Sequence, residues 1–506
     1  MIIYRKEKRH CSKGANMENL PEQEQVRRKK LEHIENPYPE RFEISHEIKE
    51  ARNLPDEEKD VSLAGRIVFM RKMGKLTFLS IQNVEAKIQL SIKKDVVGEE
   101  EYEKFKKNFD LGDFIGVTGE MFTTHTGEKT LRAESYQFLG KALKPLPEKF
   151  HGLTDTELCY RERYVDLIMN EETRKRFLLR SNLIKELRKY LEEKGYIEIE
   201  TPILINKPSG AAAKPFMSHH NALDIDVYLR IAPETYLKRA VVGGFDRVFE
   251  FARCFRNEGM DSTHLQDFTM LEYYWAYANY KDNMKLTEDM LKNVIKKVTG
   301  SLNVTIGDKE IDLSKKWKQV SFRDLVLEHA EIDINEDNTK EKLIKKITEK
   351  NIELESETNI LELGFGNIVD LLYKKVARPK MIEPVFLIEH PIKLSPLARA
   401  NDDNPDLTDR FQLIINKAEV LNAYSELVDP VEQKRRLEEQ SLLNEAGDEE
   451  AMVMDEDYIT AMEYGMPPIS GWGMGIDRLV QLLTNAANIK DGVMFPLMKL
   501  NNKQKN

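Results

Sequence analysis

Three clusters of polar residues in this 506-residue chain have spacings that suit chemistry. The densest is RVFEFARCFRNEGMDSTHLQDFTMLEYYWAYANY, residues 247–280. Its start alternates as a strand, with Phe249, Phe251 and Phe255 on one side and Glu250 and Arg256 on the other. A polar loop around Gly259 follows, and a second alternating run puts Phe268, Met270, Glu272 and Tyr274 on one side. The pattern predicts a long hairpin with one apolar face. The other face gathers Arg256, Glu258, His264, Phe268, Glu272 and Tyr274, which a purely structural sheet would not collect. The bland alternative is a solvated hairpin with incidental charges.

The second cluster is PISGWGMGIDRLVQLL, residues 468–483. Gly471, Gly473 and Gly475 let a backbone pass close to a ligand, and a helix then starts with Arg478 in its first turns. A planar guanidinium there suits a phosphate. The pattern is neither a Walker A loop nor a Rossmann fingerprint, and a glycine-rich helix entry is its common alternative. The third cluster, FQLIINKAEVLNAYSELVDP (411–430), carries Glu419, Asn422 and Glu426 in an otherwise apolar strand, with Asn422 and Glu426 on one face. Buried carboxylates require a cation, whether a metal, a substrate ammonium or the partner in a structural salt bridge. His219 and His220 are adjacent, so they point apart and read as structural.

Flanking elements must position these clusters. Residues 171–194 repeat Phe177, Ile184, Leu187 and Leu191 at helical spacing, and Gly195 stops the helix. YIEIETPIL then reads as a strand with Ile197 and Ile199 on one face, which Pro202 confines to an edge or a bulge. Residues 281–380, rich in Lys, Glu, Ile and Leu, read as a mostly helical insertion without chemistry. Upstream, VSLAGRIVFMR, KLTFLSIQ, AKIQLSIKK, DFIGVTGEMFTT and KTLRAESYQFLG are short β-rich runs between 61 and 143. They predict a small barrel, an OB-fold foremost, of the kind that binds single-stranded nucleic acid. ENLPEQEQVRRKKLEHIEN (18–36) reads as a charged helix ended by Pro37 and Pro39, and KPLPEKFHGL (144–153) as a linker. The expected organisation is a tail and helical extension over 1–60, the barrel over 61–143, a linker over 144–165 and an α/β domain over 166–506.

Composition narrows the function classes. The net charge of −10, from 87 acidic and 77 basic side chains, argues against indiscriminate coating of nucleic acid and leaves room for a local basic groove. Three separated cysteines, Cys11, Cys159 and Cys254, make neither a disulfide framework nor a zinc site and point to reducing cytoplasm. No apolar run approaches the roughly 18 residues of a membrane span. The basic start MIIYRKEKRHCSKGANMEN lacks a secretory core. It reads as a disordered end, or as an upstream start with the real one at Met17, and less readily as a tail that touches RNA.

GYIEIETPIL (195–204), FRNEGMDSTHLQDFTMLEYYWAY (255–277) and GMGIDR (473–478) together resemble motifs one, two and three of class II aminoacyl-tRNA synthetases. KPSGAAAKPFMSHHNALDIDVYLRIAPETYLKR, SPLARANDDNPDLTDRFQLIINKAEVLNAYSEL, HGLTDTELCYRERYVDL and the barrel resemble the lysine-activating branch of that class. The likeness runs from about residue 20 to about residue 500. It implies an α+β fold: an antiparallel sheet of six or seven strands flanked by helices, preceded by the OB-fold. Motif one implies a homodimer interface built from residues 171–202. The implied activity is ATP-dependent activation of L-lysine to lysyl-adenylate, followed by transfer to tRNA(Lys). The alternatives are an RNA-binding regulatory paralogue and a synthetase-like protein lysylase. Retention of Arg256 and Arg478 argues against the first, and the anticodon-type barrel against the second.

The resemblance also implies roles. Arg256 bridges the α-phosphate of ATP and the lysine carboxylate, Arg478 holds the γ-phosphate, and His264 assists from the motif two loop. Phe268 stacks on adenine, and Glu258 accepts from its amino group. Glu234 and the backbone near Gly210 meet the α-ammonium, and Asn422 the carboxylate. Glu426, Tyr274 and Glu272 surround the ε-ammonium, where the aspartate-activating relatives carry an arginine in place of Glu426. The implied Mg2+ set places Glu419 and a carboxylate seven residues before it near the nucleotide, with Glu426 further along. The earlier position is Gln412 here, an oxygen donor without charge. Val428 stands where asparagine is frequent, with no reading attached. In the barrel, Phe78 matches the ring that stacks on the middle anticodon base, with Arg71, Gln89 and Glu128 as its polar fringe; the alternative is that Phe78 is core.

Overall fold

The computed structural model describes residues 20–147, 153–211, 213–354, 360–361, 363–445 and 452–500. The basic start with Cys11 and Met17, and part of the 144–153 linker, lie outside the described residues. The chain divides into two compact units between Arg174 and Lys175.

In the first unit the charged segment forms α1, Glu22–Leu31. The five β-rich runs form β1 (Val61–Met73), β2 (Leu76–Gln82), β3 (Lys87–Lys93), β4 (Phe114–Thr123) and β5 (Lys129–Gly140). They close into a barrel in the order β1-β2-β3-β5-β4. Alternation sends Leu79, Ile81, Leu90, Ile92, Ile115, Val117 and Leu131 inward. Helix α2 (Glu99–Asn108) adds Tyr102 and Phe105 to the same core. Arg27 of α1 is buried and donates to the carbonyls of Leu111 and Ala142 at 2.9 and 2.8 Å, which fixes that helix on the barrel end.

The second unit is built on one sheet. Its strands are β6 (Ile197–Glu198), β7 (Arg247–Phe255), β8 (Asp267–Ala276), β9 (Lys318–Ser321), β10 (Val385–Ile388), β11 (Arg410–Ile415), β12 (Ala418–Ser425) and β13 (Ile469–Gly475). Their spatial order is β9-β10-β11-β12-β13-β8-β7-β6. The six central strands are antiparallel, and each edge adds one parallel strand. On one face of the sheet Phe249, Leu271, Tyr273, Leu421, Ala423, Trp472 and Met474 pack with helices α3 (Glu171–Glu193), α5 (Tyr280–Thr299) and α7 (Ile476–Leu483). The shorter helices α4 (Glu234–Val242) and α6 (Glu456–Glu463) belong to the site described below.

Three expectations change. Residues 281–380 carry the expected helices, but the stretch begins inside the main core: α5 buries Met290, Leu291, Val294 and Ile295 there, and 318–321 is an edge strand of the sheet. A separate core begins only at Phe322 and runs to Met381, with Leu387 and Ile414 joining it from the sheet. Helical periodicity reveals an apolar face, but not which core that face enters. Residues 411–430 are a hairpin and not one strand, because Asn416 and Lys417 take φ of +45° and +69°, the left-handed pair of a two-residue turn. Finally, only Ile197–Glu198 of YIEIETPIL pairs in the main sheet, at its edge, and Ile197 is exposed.

Candidate active site

Strand register assembles the site from three of the sequence clusters. Glu250 pairs with Glu272, Glu272 with Gly473, Gly473 with Asn422, and Asn422 with Gln412. One rung along, Val248, Tyr274, Gly471, Tyr424 and Arg410 follow one another across the same five strands. Paired residues share a face, so two polar rows stand on the side of the sheet opposite the main core. The glycines fall where the rows are tightest. A Cβ on Gly471 would lie 2.1 Å from Glu426 Oε1 and 2.5 Å from Tyr274 Cε1, and one on Gly473 would lie 3.2 Å from Met270. These glycines therefore stand in a strand and make room for an acid and a ring, not for a phosphate loop as their spacing suggests.

Beneath Gly471 lies an acidic pocket. Glu234 opens α4 and is buried; its Oε1 accepts from the Tyr424 hydroxyl at 2.7 Å and from Lys238 Nζ at 2.5 Å. Gly210, with φ of +90°, packs against it: a Cβ there would sit 3.2 Å from that of Glu234. Glu426 is fully enclosed, and its Oε2 makes an ion pair with the same Lys238. Tyr274 donates to Glu272 Oε2 at 3.2 Å. Burial, with the charge of Glu234 adding to it, pushes the Glu272 carboxyl up to about 8. Burial also pushes the Glu426 carboxyl up, and the Lys238 ammonium opposes that rise. Burial works against the charge on Lys238, but Glu234 and Glu426 outweigh it, so its pKa sits well above the ordinary lysine value. Asn422 is half-buried, and its oxygen accepts from Arg410 Nε at 2.7 Å, which leaves its amide nitrogen to donate elsewhere.

The nucleotide-directed residues lie along β7, β8 and α7. Arg256 follows β7, its guanidinium 5.1 Å from the centroid of the half-buried Phe268 ring, and its Nε has no partner. Arg478 donates to the Glu419 carbonyl at 3.0 Å. Neither arginine has a carboxylate partner among the described residues, so both can meet an anion. Asp477 fixes the first turn of α7: it accepts from Arg180 at 2.7 Å and from the Thr269 amide at 2.7 Å, tying α3, β8 and α7 together beside Arg478. Glu258 and His264 are exposed on the connecting loop. The Glu258 carbonyl accepts from Gln266, and His264 Nδ1 is 2.8 Å from Asp261.

Gln412, Glu419 and Glu426, the residues expected at a metal, differ in their surroundings. Gln412 is buried with its Oε1 accepting from His390 Nε2 at 3.2 Å, and burial keeps that histidine neutral. Glu426 pairs with Lys238 through Oε2. Glu419 offers a carboxylate to a nucleotide-borne ion, and no group of three His, Cys, Asp or Glu side chains that could hold a metal forms among the described residues. One carboxylate with phosphate oxygens and water fits the way Mg2+ is commonly held. Sequence reading also missed Lys238, Tyr424, Asp477 and Arg410. For Lys238 a signal existed: it lies four residues after Glu234 on one helix face.

In the barrel, Phe78 lies outside the core cluster and is half-buried on the outer face. Register puts Arg71 opposite it on β1 and Ser91 opposite it on β3, beside Gln89, which donates to Thr130 at 3.0 Å. Glu128 is exposed just before β5.

Residues 155–499 match the family of class II tRNA synthetases (D, K and N), and residues 61–139 match the OB-fold nucleic acid binding domain. The lysine--tRNA ligase of Pelotomaculum thermopropionicum is 47% identical over 95% of this chain and 96% of its own. That of Bacillus subtilis (strain 168) is 43% identical over 96% and 98%, and that of Bacillus anthracis 44% identical over the same shares. With both domains matched and near-complete coverage at this identity, the chain belongs to the lysine--tRNA ligase family of class II tRNA synthetases.

Proposed function

We propose that this chain activates L-lysine with ATP and passes the lysyl group to the terminal adenosine of tRNA(Lys). The observation that carries the reading is the buried pocket of Glu234, Glu272 and Glu426 walled by Tyr274 and Tyr424, on the same sheet as two arginines without carboxylate partners. Three carboxyl groups against one internal ammonium leave acceptor oxygens over for a cationic amino acid, and a neutral substrate would leave them unpaired. Such mismatches cost about 10⁴-fold at sites built around a polar partner.

In the first step the lysine carboxylate attacks the α-phosphorus. A bond forms from carboxylate oxygen to phosphorus, the bond to the bridging oxygen breaks, and pyrophosphate leaves. Arg256 offsets charge at the α-phosphate and orients the lysine carboxylate with Asn422; Arg478 and His264 hold the outer phosphates. Phe268 stacks on adenine while Glu258 accepts from its amino group. Positioning and charge stabilisation dominate, because little proton transfer is required. Glu234 and Gly210 receive the α-ammonium, and Glu426, Glu272 and Tyr274 the ε-ammonium. Glu419, with Gln412 and Glu426, would hold Mg2+, which would screen the polyphosphate charge. In the second step a ribose hydroxyl attacks the adenylate carbonyl and AMP leaves.

The outward face of Phe78, with Arg71, Gln89 and Glu128, suits stacking and edge recognition of an anticodon base. The exposed Ile197 within the 171–202 segment, with exposed Ile203 and Leu204 just after it, supports a homodimer through that segment. Light scattering on Ile197→Asp tests this; a wild-type monomer at micromolar concentration rejects it. Three dispersed cysteines, and the lack among described residues of a helix long and apolar enough to cross a membrane, accord with a cytoplasmic enzyme. ATP–pyrophosphate exchange with each standard amino acid tests the activity. Lysine should support it; exchange with aspartate or asparagine alone would move the chain to a sister specificity.

A further inference from the structure

Lys238 is a fully buried ammonium at the centre of the lysine pocket, and nothing in the proposed chemistry uses it. Its Nζ contacts Glu234 Oε1 at 2.5 Å and Glu426 Oε2, and lies 5.8, 5.7 and 5.7 Å from the ring centroids of Tyr274, Tyr424 and Tyr458 of α6. Each carboxylate keeps its second oxygen. Glu426 Oε1 is buried without a partner and faces Gly471 and Tyr274. Glu234 gives only Oε1 to Lys238 and Tyr424. An unpartnered buried acceptor of this kind calls for a ligand donor. One oxygen of Glu426 therefore stays open to a ligand.

We propose that Lys238 is the resident counter-ion of the amino-acid pocket, a positioning residue that holds Glu234 and Glu426 in place and turns one oxygen of each toward the incoming substrate. The physical reason is charge alternation. Two carboxylates enclosed in one cavity repel each other and swing apart unless a cation sits between them. Helix α4 supplies both halves, because Glu234 and Lys238 are one turn apart on one face. The substrate ammonium then completes an alternating row from Glu234 through Lys238 and Glu426.

The test is ATP–pyrophosphate exchange by the full chain with wild type, Lys238→Met and Lys238→Arg, varying lysine and ATP separately. Lys238→Met should raise the lysine KM by about ten-fold or more, the scale of a misplaced charged hydrogen bond. Its kcat and ATP KM should stay within about three-fold of wild type, and Lys238→Arg should recover most of the loss. Norleucine, which lacks the ε-ammonium, should inhibit Lys238→Met and wild type alike, so discrimination narrows. An unchanged or lower lysine KM would make Lys238 a tenant of the substrate seat and overturn the proposal. A parallel collapse of kcat and both KM values would reduce it to a folding residue. Should Lys238→Met fail to fold, a crystal structure of wild type with lysine decides. Nζ should remain between Glu234 and Glu426, and its displacement by the substrate ammonium would refute the assignment.

Discussion

Gly471→Ala puts the design of the pocket to a sharp test. The added Cβ would lie 2.1 Å from Glu426 Oε1 and 2.5 Å from Tyr274 Cε1, against an ordinary separation of about 3.5 Å. Glu426 must therefore retreat by more than about 1 Å, and it is enclosed and ion-paired with Lys238. Overpacking of this kind costs about 1–3 kcal/mol of stability. Turning the carboxylate away from the substrate ammonium forfeits a charged hydrogen bond of about 1.5–3 kcal/mol, which is about a 10- to 150-fold rise in lysine KM. Neither β-strand partner of Gly471, Tyr274 or Tyr424, is among the residues assigned to ATP, so the ATP KM should stay near wild type. Exchange kinetics with each substrate varied in turn, with a melting curve as control, reads all three quantities. A folded Gly471→Ala enzyme with a wild-type lysine KM would show that Glu426 does not face the substrate.

Other consequences follow from the same geometry. Arg256→Lys keeps a charge but loses the planar fork, so the exchange rate should fall by about 10²–10³; a change under two-fold would remove Arg256 from the α-phosphate. Phe78→Ala should raise the tRNA KM in aminoacylation by the roughly 1–3 kcal/mol of one base stack and leave pyrophosphate exchange intact. Equal loss in both assays would return Phe78 to a structural role. With its carboxyl pushed up to about 8, Glu272 keeps a proton in the folded state that the unfolded chain releases near 4.5. Its contribution to the stability of the empty enzyme is whole below pH 4.5 and is lost as pH rises to about 8. Lysine, a cation, should therefore raise the melting temperature more at pH 8.5 than at pH 6.5, and Glu272→Gln should flatten that difference; an equal rise at both pH values in wild type would contradict the shift.

Much of this protein was legible in the order of its residues. Short β-rich runs between turn residues located the five barrel strands to within a few residues, and period-two alternation predicted which sides of β7 and β8 carry Glu250 and Glu272 and which carry Phe249 and Phe251. It could do so because strand geometry fixes side-chain direction locally. What the order of residues did not disclose was which strands become neighbours. The meeting of Glu272, Gly473 and Asn422, and of Tyr274, Gly471 and Tyr424, joins segments from about 50 to about 200 positions apart through pairing register alone. The same holds for Gln412, whose oxygen went to His390, and for α5, whose apolar face entered the main sheet's core. Lys238 is the clearest case: its helical spacing from Glu234 is written in the sequence, but its pairing with Glu426 exists only once α4 packs on β7 and β8, because burial and long-range contact, not composition, decide where a charge finds its partner.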